Sequence, residues 1–328
     1  MWYNKVMTAP KVTAAPPLGV TEAIWRGLEM VTRRPWLIGP SVLLDVFLWL
    51  GPHLSIRRLL PRPTEAMPEA LALSLATLQE IGEQLNLFSL LGPGPLGIPR
   101  LMGMQGQSAP DGMAAATIDL TNLGQFGLAL LLLPLVGLLL GSAYLGAIGQ
   151  VVRDGRLDLA RLSRQIWGIW LRLVLLVAGV LSLLIALALP LWLVAMVMAL
   201  FSDTLALIVW LVWMSIAVWV IIYLGFTVHG IILRGEGLLR AMWGSVKLVQ
   251  WSLSSTLGLF AATAVLSAGL GVLFSLPGPD SWLELAGIGG NAFVNTGLVA
   301  ATFIYYQDRY RRWQAAQAER PAYAKRET

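Results

Sequence analysis

The stretch Leu171–Leu233 decides the fold: LRLVLLVAGVLSLLIALALPLWLVAMVMALF, then SDTLALIVWLVWMSIAVWVIIYLGFTVHGIIL. It consists of two apolar runs, Leu171–Phe201 and Thr204–Leu233, turning at Ser202-Asp203. Each exceeds the roughly 18 residues that mark a spanning helix. Both are also longer than the ~20 residues needed for a hydrocarbon core of about 30 Å, so they tilt or project from it. Four further runs flank this hairpin: Trp36–Gly51, which is short, Leu123–Ile148, Leu253–Leu276 and Ile288–Tyr306. Pro134 and Pro190 fall inside runs and are expected to kink them, the freed carbonyls being satisfied by neighbouring groups.

Composition agrees. The chain of 328 residues is 57% hydrophobic and 12% charged, with a mean hydropathy of +0.71. A soluble domain carries about 25% charged residues, and half of that cannot cover a soluble surface of this size. The expected class is an all-α polytopic integral membrane bundle of about six transmembrane helices.

The Lys and Arg residues orient it. Arg153, Arg156, Arg161 and Arg164 separate runs two and three, and Arg234, Arg240 and Lys247 separate runs four and five. Arg309, Arg311, Arg312, Arg320, Lys325 and Arg326 follow the last run, and Lys5, Lys11, Arg26, Arg33 and Arg34 precede the first. The alternate connections hold Asp203, or Asp280 and Glu284, and no Lys or Arg. The positive-inside rule then places both termini in the cytoplasm of a bacterial plasma (inner) membrane. The net charge of +5 and pI near 9.7 reflect this topology and contact with anionic lipid, not nucleic-acid binding: no basic patch is interleaved with exposed aromatics.

The same pattern sets the domain organisation. Residues 1–19 carry Pro10, Pro16 and Pro17 and no apolar core of a signal peptide, and read as a flexible cytoplasmic tail, with the first run an uncleaved anchor. Residues 20–306 form the membrane domain and 307–328 a basic cytoplasmic tail. Within the domain, segment 52–122 is expected outside despite Arg57, Arg58, Arg62 and Arg100, because long loops translocate largely regardless of charge. From Met67 to Leu90, Leu71, Leu75, Leu78, Leu85 and Phe88 recur at helical spacing against Glu80, Glu83 and Gln84, as in an amphipathic helix lying on the membrane or the bundle. From Leu91 to Leu120 the chain is rich in Gly and Pro and reads as an ordered cap.

Each basic segment before a pair of runs is itself amphipathic. Val20, Ile24, Leu28 and Val31 oppose Glu22, Arg26, Glu29 and Arg33; Leu159, Leu162 and Ile166 oppose Asp158, Arg161 and Gln165; Leu238, Met242, Val246 and Val249 oppose Glu236, Arg240 and Lys247. Gly19, Gly155 and Gly237 sit near the three starts, and Trp36, Trp170 and Trp251 near the three ends, where indoles favour the interface. A threefold repeat of cytoplasmic interfacial helix plus hairpin is one explanation. The other is that any positive-inside loop beside lipid looks amphipathic.

Residues Gly225–Val249, GFTVHGIILRGEGLLRAMWGSVKLV, resemble a stretch of the membrane domain of bacterial glycerophosphoryl diester phosphodiesterases and of related six-span proteins. Those have an apolar helix, a short x-E-G turn and an A-x-x-x-S-x-x-L interfacial helix. Gly235-Glu236-Gly237 matches the turn, and Ala241, Ser245 and Leu248 match the helix. Thr21–Pro35 resembles the family's first amphipathic helix. The resemblance implies a stand-alone membrane domain. It does not imply phosphodiesterase activity, because no soluble region of barrel size is present.

Candidate site residues are few. Asp45 lies inside an apolar run, where a carboxylate costs roughly 2.5–3.5 kcal/mol on insertion scales. It is a candidate proton or cation site, or the partner of an Arg, or a structural cap. Asn291, Asn295 and Thr302 share one face of the last run, and either line a solute path or hydrogen-bond between helices. Gly137 with Gly141, and Ser142 with Gly146, are small-xxx-small pairs for close helix contact, within the bundle or in a homo-oligomer. His229 is a pH sensor or an ordinary helix-end histidine. Met102, Met104 and Met113 are soft Cu(I) ligands by type but lack Cys or His support, and read as an apolar loop. Trp192, Trp210, Trp213 and Trp219 face lipid or pack.

With no Cys and two His, the chain has no means for disulfides, thiolate chemistry, Fe–S clusters or a multi-His metal site. P-loop, HExxH and GxSxG patterns are absent, so no cofactor and no enzymatic activity are expected. Two functions remain in view. One is a non-enzymatic scaffold or accessory protein binding membrane lipid or partner membrane proteins. The other is a transport component, such as an ABC-2-like permease subunit working with a separate ATPase.

Overall fold

The computed structural model describes residues 17–61, 67–92, 94–102 and 116–324. Most of the expected N-terminal tail, and Met104 and Met113, lie outside them. The described chain is almost wholly helical. In order it forms α1 (Val20–Arg33), a 3₁₀ turn (Pro35–Ile38), α2 (Gly39–Leu50), β1 (His53–Ser55), a 3₁₀ turn (Arg57–Leu59), α3 (Glu69–Gln84), 3₁₀ turns at Leu87–Leu91 and Gly94–Leu96, and β2 (Thr117–Asp119). Next come α4 (Leu123–Asp154), α5 (Leu159–Ala199), α6 (Asp203–Leu224), α7 (Thr227–Arg234), α8 (Leu238–Trp251), α9 (Leu253–Phe274) and α10 (Glu284–Ala324). The two short strands pair in parallel, His53 opposite Thr117 and Ser55 opposite Asp119.

Among the described residues, 5 helical segments are long and apolar enough to cross a membrane: Leu123–Asp154, Leu159–Ala199, Asp203–Arg234, Leu253–Phe274 and Glu284–Ala318. The first of the six expected runs is not one of them. Arg34-Pro35 stops α1, because proline lacks the N–H that a continuing helix would use. The chain resumes as the shorter apolar helix Pro35–Leu50. It nevertheless runs alongside α10, from Asp308 back to the start of that helix. The Leu18 N–H meets Asp308 Oδ2 at 3.3 Å, and Trp49 Nε1 donates to Pro279 O at 2.6 Å, just before α10 begins. Helices α1 and α2 therefore share one traverse, broken at Pro35.

Three second-of-pair helices, α4, α7 and α10, meet at the centre. Gly149 of α4 faces Ile232 of α7 and Phe303 of α10, and a side chain at 149 would strike both. The fully buried Phe226, Ile231, Phe303 and Tyr305 complete this core. The hairpin α5–α6 and helix α9 leave most of their surface exposed.

The basic connections lie at one end of this bundle. Arg34 Nη2 donates to Gly155 O at 2.6 Å, Arg153 Nη1 to Leu233 O at 3.3 Å, and the Arg234 guanidinium stacks 3.5 Å from the Tyr310 ring centroid. Left-handed glycines end α4 and α7, Gly155 at φ 72° and Gly235 at φ 67°, where a Cβ would be strained.

Helices α1 and α8 correspond residue for residue. Each has 14 residues after a glycine N-cap in extended conformation. α1 buries Ala23, Gly27, Met30 and Val31, and α8 buries Ala241, Ser245, Leu248 and Val249, at the same positions from the start. The expected apolar stripes face inward: Val31 and Val249 are buried, Ile24, Leu28, Met242 and Val246 are half-buried, and the deepest remaining positions go to small residues, which are needed where helices approach closely. Gly27 of α1 sits against the Gly297 carbonyl and Ala301 of α10. The start of α5 places Leu162 and Ile169, both buried, against Gly146 of α4. Each of these three helices thus leans on the second helix of the preceding pair, and α1 closes the ring on α10.

Two further expectations change. Helix α10 does not end at Tyr306 but runs to Ala324, so the first part of the basic tail is helical. The Gly/Pro-rich segment does not merely cap the bundle: its turns reach Gly137 and Gly141, well inside α4.

Candidate functional site

Polar side chains concentrate along α10, which carries Glu284, Asn291, Asn295, Thr296, Thr302 and Tyr305. Most of them tie α10 to its neighbours. Ser267 Oγ on α9 donates to Asn295 Oδ1 at 2.5 Å, and Asn295 Nδ2 donates to Asn291 Oδ1 at 2.8 Å. Tyr144 of α4 donates to Thr296 at 2.9 Å. Thr302 lies 2.9 Å from His229 Nε2 on α7 and donates to Val299 O at 2.7 Å. Tyr305 reaches Ser255 of α9 at 2.7 Å. Of the two readings for Asn295 and Thr302, the geometry supplies inter-helix hydrogen bonds. His229 is buried in this seam, edge-on to Phe226 and 4.3 Å from the Phe303 ring centroid.

The sharpest chemistry is at the seam end where α10 begins. Asp45 is wholly buried on α2. Its Oδ1 accepts the backbone N–H groups of Leu101 at 2.7 Å and Met102 at 3.0 Å, and Ser41, one turn earlier, donates to Pro99 O at 2.6 Å. Side chains of α2 thus satisfy the irregular backbone 99–102, which would otherwise be costly inside apolar surroundings. Arg100, half-buried, and Glu284, wholly buried in the first turn of α10, are the charged groups acting on Asp45. A carboxylate is favoured at a helix N-terminus by the macrodipole. Trp49 and Trp282 meet edge to face beside this cluster, ring centroids 5.6 Å apart.

The opposite end holds a second polar knot. Arg234 pairs with Glu236 at 2.8 Å and stacks on Tyr310. Ser245 takes the Phe226 N–H at 3.1 Å and donates to Tyr223 O at 2.7 Å, closing the break between α6 and α7. Ala241 packs against Gly230, and Leu248 is buried. The residues that carried the family resemblance are therefore structural in this chain.

The glycine pairs divide. Gly137 lies under the Leu90 and Leu91 carbonyls, and Gly141 under Leu96 O and Gly97, so both receive the 3₁₀ turns of the Gly/Pro-rich connection and not a second α-helix. Gly146 does receive a helix, through Leu162. Ser142 bonds back to Leu138 O at 2.7 Å within α4. Arg100 and Glu284 were not singled out from sequence, since both read as charges of outer loops. The one available signal was the position of Glu284 at the head of an apolar run. No family model, curated protein or solved structure matches the chain.

Proposed function

We propose that this chain is a non-enzymatic multi-pass protein of the bacterial plasma membrane, built from three copies of one interfacial-helix-plus-hairpin unit, that acts as a scaffold or accessory protein for lipid and partner membrane proteins. The first crossing is the short apolar helix Pro35–Leu50, after the interfacial α1, which makes six with the five long segments, and both termini face the cytoplasm beside the basic connections. One observation carries the reading: Tyr144, His229, Ser267 and Ser255 each join a residue of α10 by a helix-to-helix hydrogen bond, while the long α5–α6 hairpin leaves apolar Leu181, Leu193, Leu207, Trp210 and Leu211 exposed. A bundle stapled internally and apolar outside suits association within the membrane more than conduction through it. The resemblance to stand-alone membrane domains points the same way.

Photo-crosslinkers placed in cells at Trp210 on α6 and at Val265 on α9 test this. A protein adduct of one defined mass at Trp210, absent at Val265, is the expected outcome. Lipid adducts alone at both positions would remove the partner-binding part of the proposal.

A second reading, a transport component served by a separate ATPase, is favoured by the broken helices and by the buried charges at Asp45, Arg100 and Glu284. Irregular backbone and ionisable groups at membrane depth are features of transporter sites. Stoichiometric co-purification of an ATPase would establish it over the scaffold.

A further inference from the structure

The apolar height of the bundle is unequal around its circumference. In α5, residues 173–199 follow Arg172 without a charged side chain and are helical throughout. At 1.5 Å per residue they rise about 40 Å, against a hydrocarbon core of about 30 Å. Tilt alone would have to reach about 40°, the upper end of the range for membrane helices, to hide the excess. The apolar helix Pro35–Leu50 is far shorter. Its 3₁₀ turn and α2 together rise about 25 Å, and Leu43, 71% exposed, faces outward from it. Helix α2 packs on α10 and the α5–α6 hairpin on α4, so the two heights lie on different flanks.

Polar groups penetrate unequally in the same sense. Ser41 donates to Pro99 O, and Asp45 accepts the Leu101 and Met102 N–H groups. Arg100, between them in the chain, is therefore held level with Ser41 and Asp45. Those residues stand only roughly 12–18 Å beyond Pro35 along the helix. The same connection is seated on α4, where the Leu91 and Leu96 carbonyls meet Gly137 and Gly141. Arg100 is half-buried, and its Nη1 has no partner among the described residues. A guanidinium at this depth is costly in hydrocarbon, and local thinning of the bilayer with entry of water relieves the cost.

We propose that the protein holds the surrounding bilayer at two thicknesses: thinned beside α2, where phospholipid headgroups of the leaflet opposite the basic connections descend towards Arg100, and thickened along the α5–α6 hairpin. Its lipid partner is selected by acyl-chain length, short chains collecting at α2 and long ones at the hairpin. This rests on the lipid-binding part of the proposed function, and adds which lipid and where.

The chain has no cysteine, so single Leu43→Cys and Leu193→Cys variants of the full-length protein can each carry one bimane fluorophore. Both side chains are exposed, so the fold is retained, and a size-exclusion profile checks this. Each variant is reconstituted in phosphatidylcholine vesicles containing acyl-brominated lipid of about 14 or about 22 carbons, which quenches a neighbouring bimane. At position 43 the short-chain lipid should quench about two-fold more than the long-chain lipid at equal mole fraction, and at 193 the order should reverse, since each ångström of mismatch costs a fraction of a kcal/mol. Arg100→Leu should reduce the short-chain preference at 43 and leave the preference at 193 unchanged; no change at 43 would overturn the descent of headgroups to Arg100. The same chain-length preference at both labels would overturn the two thicknesses. So would quenching of the 193 label by aqueous iodide in the long-chain vesicles, which would mean that the hairpin projects into water. Either result leaves the scaffold reading to be judged by the Trp210 adduct, whereas a protein monodisperse without detergent would end both.

Discussion

The close backbone approach of α1 to α10 yields the most demanding prediction. A methyl group added at Gly27 would lie 2.7 Å from Ala301 N and 2.9 Å from Ala301 Cβ, and closer still to the Gly297 carbonyl. Two of these neighbours are backbone atoms of a buried helix and cannot swing aside. On helix propensity alone, Gly27→Ala would stabilise α1 by up to about 1 kcal/mol. Steric overlap reverses the sign. Overpacking of this kind costs roughly 1–3 kcal/mol, and α1 can relieve it only by lifting Ala23, Met30 and Val31 off α10. The folded-to-unfolded ratio should then fall about five- to 150-fold, at 1.4 kcal/mol per factor of ten. Gly168→Ala is the control: Gly168 lies inside α5, and a Cβ there would meet nothing within 4 Å, so it should be neutral or stabilising. Unfolding in mild detergent, followed by tryptophan fluorescence, reads both variants. A Gly27→Ala protein as stable as the wild type, or more so, would refute the packing of α1 against the α10 backbone.

Three other outcomes are expected from the same geometry. Ser245→Ala leaves the Phe226 N–H and the Tyr223 carbonyl without their partner at the α6–α7 break and should cost about 1–3 kcal/mol in the same unfolding assay; a loss near zero would mean the break is held otherwise. Thr296→Val and Tyr144→Phe each remove one hydrogen bond and should cost about 0.6 kcal/mol, no more than ~1.7, with a double variant no worse than either single one; additive losses would show that the two side chains do not interact. Because the chain has no cysteine, single Arg156→Cys and Asp280→Cys variants can be labelled in intact cells with a membrane-impermeant maleimide. Labelling at 280 and not at 156 is expected from the charge bias, and labelling at both or neither would refute the orientation.

Much of the architecture was legible before any coordinates. Hydrophobic run length is a local property, and the spanning segments after Leu123 emerge where the runs lie. The alternation of basic and acidic connections is equally local, and the bundle gathers the basic ones at one end. Periodicity also found the amphipathic helices α1 and α8 and their inward stripe, but not its deepest positions. Hydropathy favours Ile24 and Leu28, which are half-buried, whereas close backbone approach puts Ala23 and Gly27 deepest, and no window on one helix reveals the surface it will meet.

What only the tertiary structure decided concerns pairs distant in the chain. Asp45, Arg100 and Glu284 belong to three segments, and each alone reads as an isolated charge or a loop residue. Asp45 finds its partners, the Leu101 and Met102 N–H groups, only because the Gly/Pro-rich connection folds in against the bundle, where its turns meet Gly137 and Gly141. The sequence by itself determined how much of the chain is apolar helix and where the long apolar runs lie, because burial in hydrocarbon and backbone satisfaction act residue by residue along the chain. Which helix touches which, and hence which buried charges share a site, depends on shape complementarity between surfaces that only the folded chain brings together.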